Sequence, residues 1–168
     1  MLRDEDKAEI KKILQGMPNE VTLGFFTQKV MSTCQYCTET EALLKEVADL
    51  SDKLTLKINN FVTDKDRVAE YDIDKIPATV IQGIDDYGIR FYGIPTGYEF
   101  AAFLEAILKV SAGESALPEE IKARVASIKE PVHIQVFVTP TCPYCTRAAM
   151  TAYQLAIENE NIRASVIE

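Results

Sequence analysis

Hydrophobic and polar residues follow two different periods along the chain, and each period predicts one type of secondary structure. Apolar residues recur every three to four positions in Asp4–Met17, Thr38–Leu50 and Phe100–Val110, the spacing of helices with one buried face. Between these segments, Val21–Phe26 is a short apolar run and Lys53–Asn59 alternates polar with apolar residues. Both patterns predict strands, so the chain begins as helix, strand, helix, strand.

A hairpin and two further helices complete this first part of the chain. A short helix is predicted at Asp64–Tyr71. After Pro77, the segment ATVIQG predicts one strand and Gly88–Ile94 a second, joined by the turn-rich sequence GIDDYG. With the helix Phe100–Val110 behind them, these elements form a complete α/β unit.

The same order of elements restarts after a predicted linker, Ser111–Glu120. The second set consists of a helix, a strand, a helix and a strand, at Glu119–Ile128, Val132–Val138, Thr146–Asn159 and Ile162–Ile167. Cys34 and Cys142 are 108 residues apart, and so are Cys37 and Cys145. The chain therefore contains an internal repeat, whose register holds through the helix that follows each cysteine pair.

The repeat divides the chain into a first unit, residues 1–115, and a second, residues 116–168. Glu168 corresponds to Asn60, so the second unit lacks counterparts of Pro77, the hairpin and the last helix. Two strands without a partner hairpin would leave an open sheet edge, which natural proteins avoid. We therefore expect the natural chain to continue past Glu168, or another chain to supply the missing elements, and homo-oligomerisation is left open.

Composition and charge narrow the classes of function. A 168-residue chain that is 47% hydrophobic is long and apolar enough to form a hydrophobic core. Its net charge of −8 repels phosphate backbones, and no basic stripe is interleaved with aromatic residues, so we expect no nucleic-acid partner. The sequence has no apolar run long enough to span a membrane, and it does not begin with the basic segment and following apolar segment of an export signal. We therefore expect a cytoplasmic protein without a membrane partner.

The four cysteines form two C-x-x-C pairs, each placed between a predicted strand and a predicted helix. In a reducing compartment such pairs indicate redox chemistry or metal binding rather than a static disulfide framework. Unpaired N–H groups and the helix dipole at a helix start lower the pKa of a thiol. Cys34 and Cys142 are therefore the predicted attacking residues, and Cys37 and Cys145 the resolving ones.

The residues between the thiols are expected to modulate them. Pro143 is predicted at the first helical position, where its fixed φ suits a helix and its missing N–H costs nothing. Tyr144, and Tyr36 in the first pair, are expected to shield the sulfur atoms from water.

The motifs resemble those of a known family. CPYC, preceded by Thr-Pro-Thr, resembles the glutaredoxin signature, and the order of elements resembles the thioredoxin fold. Two such units, with CQYC in the first and CPYC in the second, resemble the protein disulfide oxidoreductases of thermophilic prokaryotes. The resemblance implies an α/β fold of two tandem thioredoxin-like units, each a three-layer α/β/α arrangement, with the second one truncated.

The resemblance also implies an activity and a substrate site. It implies an enzyme that reduces, oxidises or isomerises protein disulfides through mixed disulfides, with redox-active disulfides in place of any other cofactor. The expected partners are protein thiols and disulfides and a flavoprotein similar to thioredoxin reductase. The segment KIPAT implies a cis peptide bond between Ile76 and Pro77 facing the first cysteine pair, with the backbone of Ile76 free to pair with an extended substrate.

Two other functions stay open at this point. The chain also resembles the tandem thioredoxin-like electron carrier of the flavoprotein that reduces alkyl-hydroperoxide peroxidases, although such domains typically keep a single C-x-x-C. A zinc-binding module is the remaining alternative. Neither VTLGFF nor HIQVFV, the strands that precede the cysteine pairs, contains an acidic residue, so the sequence identifies no group for proton transfer.

Overall fold

The computed structural model describes residues 2–28 and 34–168, and it contains every predicted element in the predicted order. The first set of elements is α1 (Asp4–Leu14), β1 (Val21–Thr27), α2 (Cys37–Ala48), β2 (Leu54–Asn60), α3 (Lys65–Glu70), β3 (Ala78–Gln82), β4 (Ile89–Tyr92) and α4 (Tyr98–Ala112). The second set is α5 (Glu119–Ala126), β5 (Val132–Phe137), α6 (Cys145–Glu158) and β6 (Ile162–Ile167). The repeat is confirmed, since α6 and β6 each begin 108 residues after α2 and β2.

Several helix ends differ from the prediction. The first helix ends at Leu14 rather than Met17, as the chain turns before Pro18. By contrast, α4 continues to Ala112, so the predicted linker is partly helical, and the left-handed Gly113 (φ 72°) ends the helix. Element ends are the least certain feature of any sequence pattern, because the last turn depends on local hydrogen bonds.

The helices that follow the cysteine pairs begin at the second cysteine of each pair. Before α6, the Cys142 N–H donates to the Thr139 carbonyl at 3.0 Å and the Cys145 N–H to the Cys142 carbonyl at 3.3 Å. These bonds close tight turns, so Pro143 lies two residues before the helix instead of at its predicted first position. The first cysteine of each pair consequently precedes the helix, and the second opens it.

All six strands form one sheet in the order β2-β1-β3-β4-β6-β5. The strand β4 of the first part pairs in parallel with β6 of the second, from Ile89 opposite Ala164 to Tyr92 opposite Ile167. One edge of the second part is thus paired with the first part, while β5 pairs only with β6 among the described residues. The division at residue 115 remains a prediction, because a single sheet runs through both parts.

Alternating strand residues divide the core between the two faces of the sheet. One face carries the larger cluster, in which β1, β4 and β6 pack against α1, α2, α4, α5 and α6. On the other face Phe26, Val80 and Tyr92 pack against Tyr71 and Ile73, which follow α3. Each fully buried large side chain contributes about 2–3 kcal/mol relative to exposure. The predicted α/β/α layering is therefore present, with its thinner layer on the α3 face.

The two parts of the chain also meet through the start of α4. Gly97, immediately before the helix, has φ of 59°, and a Cβ atom there would lie 2.4 Å from the Pro140 carbonyl oxygen. The following N–H, that of Tyr98, donates to the same carbonyl at 3.2 Å. Only glycine permits this approach, because any side chain would collide with the backbone that leads to the second cysteine pair.

This contact predicts a stability loss for Gly97→Ala. We expect the free energy of unfolding to fall by about 2 kcal/mol, from the left-handed backbone and the displaced Pro140 loop together. Urea unfolding followed by circular dichroism measures the change. Gly24→Ala is the matched control: its Cβ would lie 3.5 Å from the Val80 Cβ, an ordinary contact. We expect it to change stability by less than about 1 kcal/mol, and equal losses in both variants would contradict the prediction.

Candidate functional site

The first cysteine pair lies between β1 and α2. Cys34 and Cys37 form a disulfide with their Cα atoms 5.5 Å apart, and they are only 8% and 3% exposed. The unpaired N–H groups of the first turn of α2 adjoin the pair, which is the arrangement that stabilises a thiolate. Residues 29–33 lie outside the described part of the chain, and they include Lys29, which is basic and close in sequence to this pair.

Cys34 shares a cavity of about 360 Å³ with the predicted substrate segment. Ile76 and Pro77 line it, and the peptide bond between them is cis, as predicted. The remaining lining residues are Gln35, Tyr36, Lys75, Tyr92, Gly93, Ile167 and Glu168. The fold thus brings the cis-proline segment at the start of β3 to the first pair, although more than forty residues of sequence separate them.

The tyrosines between the thiols are both exposed to solvent. Tyr36 is 46% exposed and its hydroxyl accepts a long hydrogen bond, 3.4 Å, from the Gln35 side chain. Tyr144 is 82% exposed and Pro143 beside it is also exposed. Tyr144 is therefore available for contact with a partner. The shielding of the disulfides by these rings stays a prediction.

The second cysteine pair is more accessible than the first. Cys142 and Cys145 form a disulfide with Cα atoms 5.4 Å apart, and both residues are partly exposed. Residues from the other part of the chain lie beside them: Thr146 donates through Oγ1 to the Tyr98 carbonyl at 3.0 Å. The start of α4, rather than a proline segment of the second repeat, therefore adjoins this pair.

Glu99, in the first turn of α4, is a residue that the sequence analysis missed. Its side chain is fully buried, at 0% exposure, and neither carboxylate oxygen has a hydrogen-bond partner among the described residues. Burial raises the pKa of Glu99 above its ordinary value, and the nearby charge of Glu168 raises it further. An unpaired buried carboxyl is costly, so it marks a position worth a functional explanation.

The surroundings of Glu99 connect it to α6. Glu99 follows Tyr98, whose carbonyl accepts a hydrogen bond from Thr146 on α6. The charge of Glu99 also acts on Tyr153, a fully buried residue of α6. Burial, and then Glu99, raises the pKa of Tyr153, whose hydroxyl also lacks a partner among the described residues. No sequence signal could have identified this placement, because Glu99 looks like an ordinary acidic residue of a first helical turn.

Other features of the described residues lie away from both cysteine pairs. A cavity of about 690 Å³ is a mainly apolar groove between α1 and α4 that touches neither pair. Within residues 2–28 and 34–168, no group of three or more histidine, cysteine or acidic residues is placed to hold a metal ion. The helices in that same part of the chain are all too short or too polar to cross a membrane.

Comparison with known proteins gives one family match and several relatives that align along nearly the whole chain. A family profile described as "Thioredoxin domain" matches residues 28–105. The F subunit of alkyl hydroperoxide reductase from Staphylococcus aureus is 26% identical over 169 residues, which cover 100% of this chain but 30% of that protein. The corresponding Pseudomonas aeruginosa protein is 26% identical over 161 residues, 96% of this chain and 29% of its own length. The chain therefore spans under a third of these curated relatives.

Two solved structures share the architecture. The NTD_N/C domain of alkyl hydroperoxide reductase AhpF from Enterococcus faecalis superimposes with a TM-score of 0.90 at 23% identity, covering 100% of this chain and 80% of that one. A protein disulfide oxidoreductase from Aeropyrum pernix superimposes with a TM-score of 0.88 at 27% identity, covering 99% of this chain and 75% of that one. The predicted thioredoxin-like fold and the resemblance to protein disulfide oxidoreductases are confirmed. The chain therefore has the thioredoxin fold and carries two C-x-x-C pairs, each closed as a disulfide.

Proposed function

We propose that the chain is an enzyme that exchanges disulfides with protein substrates, using both cysteine pairs. The observation that carries this proposal is that both pairs stand at the same position of the repeat, each closed as a disulfide at the start of a helix. The likeness to the Aeropyrum pernix protein disulfide oxidoreductase over 99% of the chain supports it. We propose a cytoplasmic protein that is re-reduced by a flavoprotein similar to thioredoxin reductase.

The exchange proceeds in two substitutions at sulfur. In the reducing direction, the thiolate of Cys34 or Cys142 attacks a substrate disulfide, forming a mixed disulfide and releasing one substrate thiolate. Cys37 or Cys145 then loses its proton and attacks the bonded sulfur of its partner, which releases the second substrate thiol. The enzyme dithiol is oxidised by two electrons and the substrate disulfide is reduced by two; the reverse sequence oxidises a substrate.

The two pairs have different parts in this proposal. The first pair, nearly buried and facing Ile76 and Pro77, suits an extended substrate segment that pairs with the Ile76 backbone. The second pair is partly exposed. Tyr144 lies between its cysteines and the Tyr98 carbonyl is bonded to the adjacent Thr146, and the side chains of Tyr98 and Tyr144 are 54% and 82% accessible. Aromatic groups of this kind are common anchors in protein interfaces. The second pair is therefore the proposed entry point for folded protein disulfides.

Glu99 is the proposed proton acceptor for the resolving cysteine of the second pair. A carboxyl whose pKa is raised towards the working pH serves as a general base better than one with an ordinary pKa. The raised pKa of Glu99, and the hydrogen bond that joins the preceding residue, Tyr98, to Thr146 in the first turn of α6, support this role. It supplies the group that the strands before the cysteines lack.

A second candidate function is an electron carrier between a flavoprotein and a peroxidase. The curated relatives favour it, because the Staphylococcus aureus and Pseudomonas aeruginosa proteins are F subunits of alkyl hydroperoxide reductase that align along 100% and 96% of this chain. Two intact cysteine pairs favour the first function. The two are distinguished by comparing reduction of insulin with reduction of an alkyl-hydroperoxide peroxiredoxin: activity with the peroxiredoxin and none with insulin would favour the carrier.

The two attacking cysteines are expected to contribute unequally to insulin reduction. Cys142→Ser should remove most of the activity, about tenfold or more, because Cys142 is more accessible and is followed by the rigid Pro143. Cys34→Ser should reduce it less. Both losses are measured as the initial rate of insulin reduction with dithiothreitol as the electron source, with each substitution made alone in the wild-type chain.

Variants of the resolving cysteines provide the control for this comparison. Cys145→Ser and Cys37→Ser keep the attacking thiol and should accumulate mixed disulfides that mass spectrometry detects. Equal losses in Cys142→Ser and Cys34→Ser, or a larger loss in Cys34→Ser, would contradict the proposed division. If a variant that lacks all four cysteines reduces insulin as fast as wild type, the proposed function itself is overturned.

Glu99→Gln is expected to slow the second pair and to change how stability depends on pH. In a Cys34→Ser/Cys37→Ser background, we expect release of the mixed disulfide to slow by about tenfold or more and to lose its rise with pH through the raised pKa of Glu99. Because the folded pKa is raised, wild-type stability declines as pH rises from the unfolded pKa to the folded one. The difference in unfolding free energy between Glu99→Gln and wild type should therefore shift in favour of the variant between pH 4 and pH 7.

Glu105→Gln, on the same helix, is the control for both measurements, since Glu105 lines the distant groove between α1 and α4. A Glu99→Gln variant with the stability change but an unaltered release rate and pH profile would show that Glu99 takes no part in proton transfer.

A further inference from the structure

The last strand of the second part delivers a carboxylate to the first cysteine site. Glu168 follows β6, and its N–H donates to the Tyr92 carbonyl at 3.0 Å, continuing the pairing of β6 with β4. Its side-chain Oε2 accepts a hydrogen bond from the Ile94 N–H at 2.9 Å. Glu168 thereby forms part of the wall of the cavity that contains Cys34 and Pro77.

Gly93 leaves the space that this side chain occupies. Its φ is 108°, and a Cβ atom at Gly93 would lie 2.8 Å from the Glu168 Cβ and 2.9 Å from its Oε2. Neither approach is compatible with a side chain at position 93. The carboxylate is therefore held in a defined place against the backbone that follows β4.

The charge of Glu168 is not cancelled by a neighbouring cation in the described structure. Lys75, the basic residue of the cavity lining, is ion-paired with Asp74 and lies over the Tyr92 ring, 4.3 Å from its centroid. Among residues 2–28 and 34–168, no basic side chain comes within the 4.0 Å ion-pairing distance of the Glu168 carboxylate. Of the two charged residues that line the cavity of Cys34, Lys75 is thus already ion-paired, whereas Glu168 has no ion-pair partner among the described residues.

We propose that Glu168 is a specificity-determining residue of the first site, which makes this site select against anionic disulfides and in favour of neutral or cationic ones. The inference rests on the proposed thiol–disulfide exchange at Cys34. An anionic substrate that enters the cavity meets repulsion from Glu168, whereas a cationic one meets attraction. Partial solvent exposure moderates both interactions, which sets an expected discrimination of about fivefold for a singly charged group.

The selected class follows from the chemistry of the exchange. The Cys34 thiolate attacks one sulfur of the disulfide, and the departing half leaves as a thiolate. Cys37 then attacks the mixed disulfide, so the enzyme loses two electrons and both halves of the substrate become thiols. Each half that carries carboxylates, as glutathione does, is disfavoured at both steps. The first site is consequently suited to protein segments that are neutral or basic around their cysteines.

The test uses three small disulfides of different charge. In a Cys142→Ser/Cys145→Ser background, the prereduced protein reacts with glutathione disulfide, bis(2-hydroxyethyl) disulfide or cystamine under single-turnover conditions. We expect the rates to rise in that order. Glu168→Gln should raise the rate with glutathione disulfide relative to cystamine by about fivefold, and added salt should shrink this difference.

Two controls separate charge selection from a general change in the site. Glu160→Gln removes an exposed carboxylate just before β6, at the opposite end of the strand, and should leave the rate ratio unchanged. Alkylation of Cys34 by negatively charged iodoacetate and by neutral iodoacetamide gives a second ratio that needs no substrate turnover. Glu168→Gln should raise the relative rate of iodoacetate by a similar factor.

The possible results separate this inference from the proposed function. If exchange occurs but both ratios are the same in wild type, Glu168→Gln and Glu160→Gln, charge selection by Glu168 is overturned and the proposed function stands. If reduced Cys34 exchanges with none of the three disulfides, the proposed function fails at this site. The alkylation ratio then decides on its own whether Glu168 selects by charge.

Discussion

The parallel pairing of β4 with β6 is the interaction on which the rest of this structure depends. It joins the two repeats into one six-stranded sheet and aligns their strand ends, so that α4 packs against α6 on the same face. Backbone hydrogen bonds along the whole of β4, from Ile89 to Tyr92, fix the register. A shift of one residue would exchange the buried and exposed faces of β6, and the core beneath it would be lost.

This pairing mixes residues of the two repeats at both cysteine pairs. The start of α4, from the first repeat, brings Tyr98 beside the second pair, and the buried Glu99 follows it in the same turn. The end of β6, from the second repeat, brings Glu168 beside the first pair. Glu168 is at the wall of the open cavity that contains Cys34, while Glu99 is fully buried in the helical turn that is bonded to Thr146 beside Cys145. Two nearly identical motifs acquire different electrostatic surroundings, which gives a physical basis for different substrates.

Much of the fold and the sulfur chemistry could be predicted because the relevant signals are local. Hydrophobic period, turn residues and motif spacing are properties of short segments, and they predicted every element and the repeat register, while the KIPAT segment and its resemblance predicted the cis bond at Pro77. The position predicted for Pro143 was wrong, because it depended on the backbone turns before α6. The bonds from Cys142 and Cys145 close turns that delay the helix, which displaces Pro143 from the first helical position.

The sequence by itself determined that two dithiol motifs precede two helices, because a C-x-x-C pair and its strand and helix occupy consecutive residues. Only the tertiary structure decided which acidic residues accompany them. Glu99 and Cys142, like Glu168 and Cys34, are far apart in sequence, and among the 26 acidic residues nothing local distinguishes these two. Their positions follow from strand pairing and helix packing over long distances, which a pattern read along the chain does not contain.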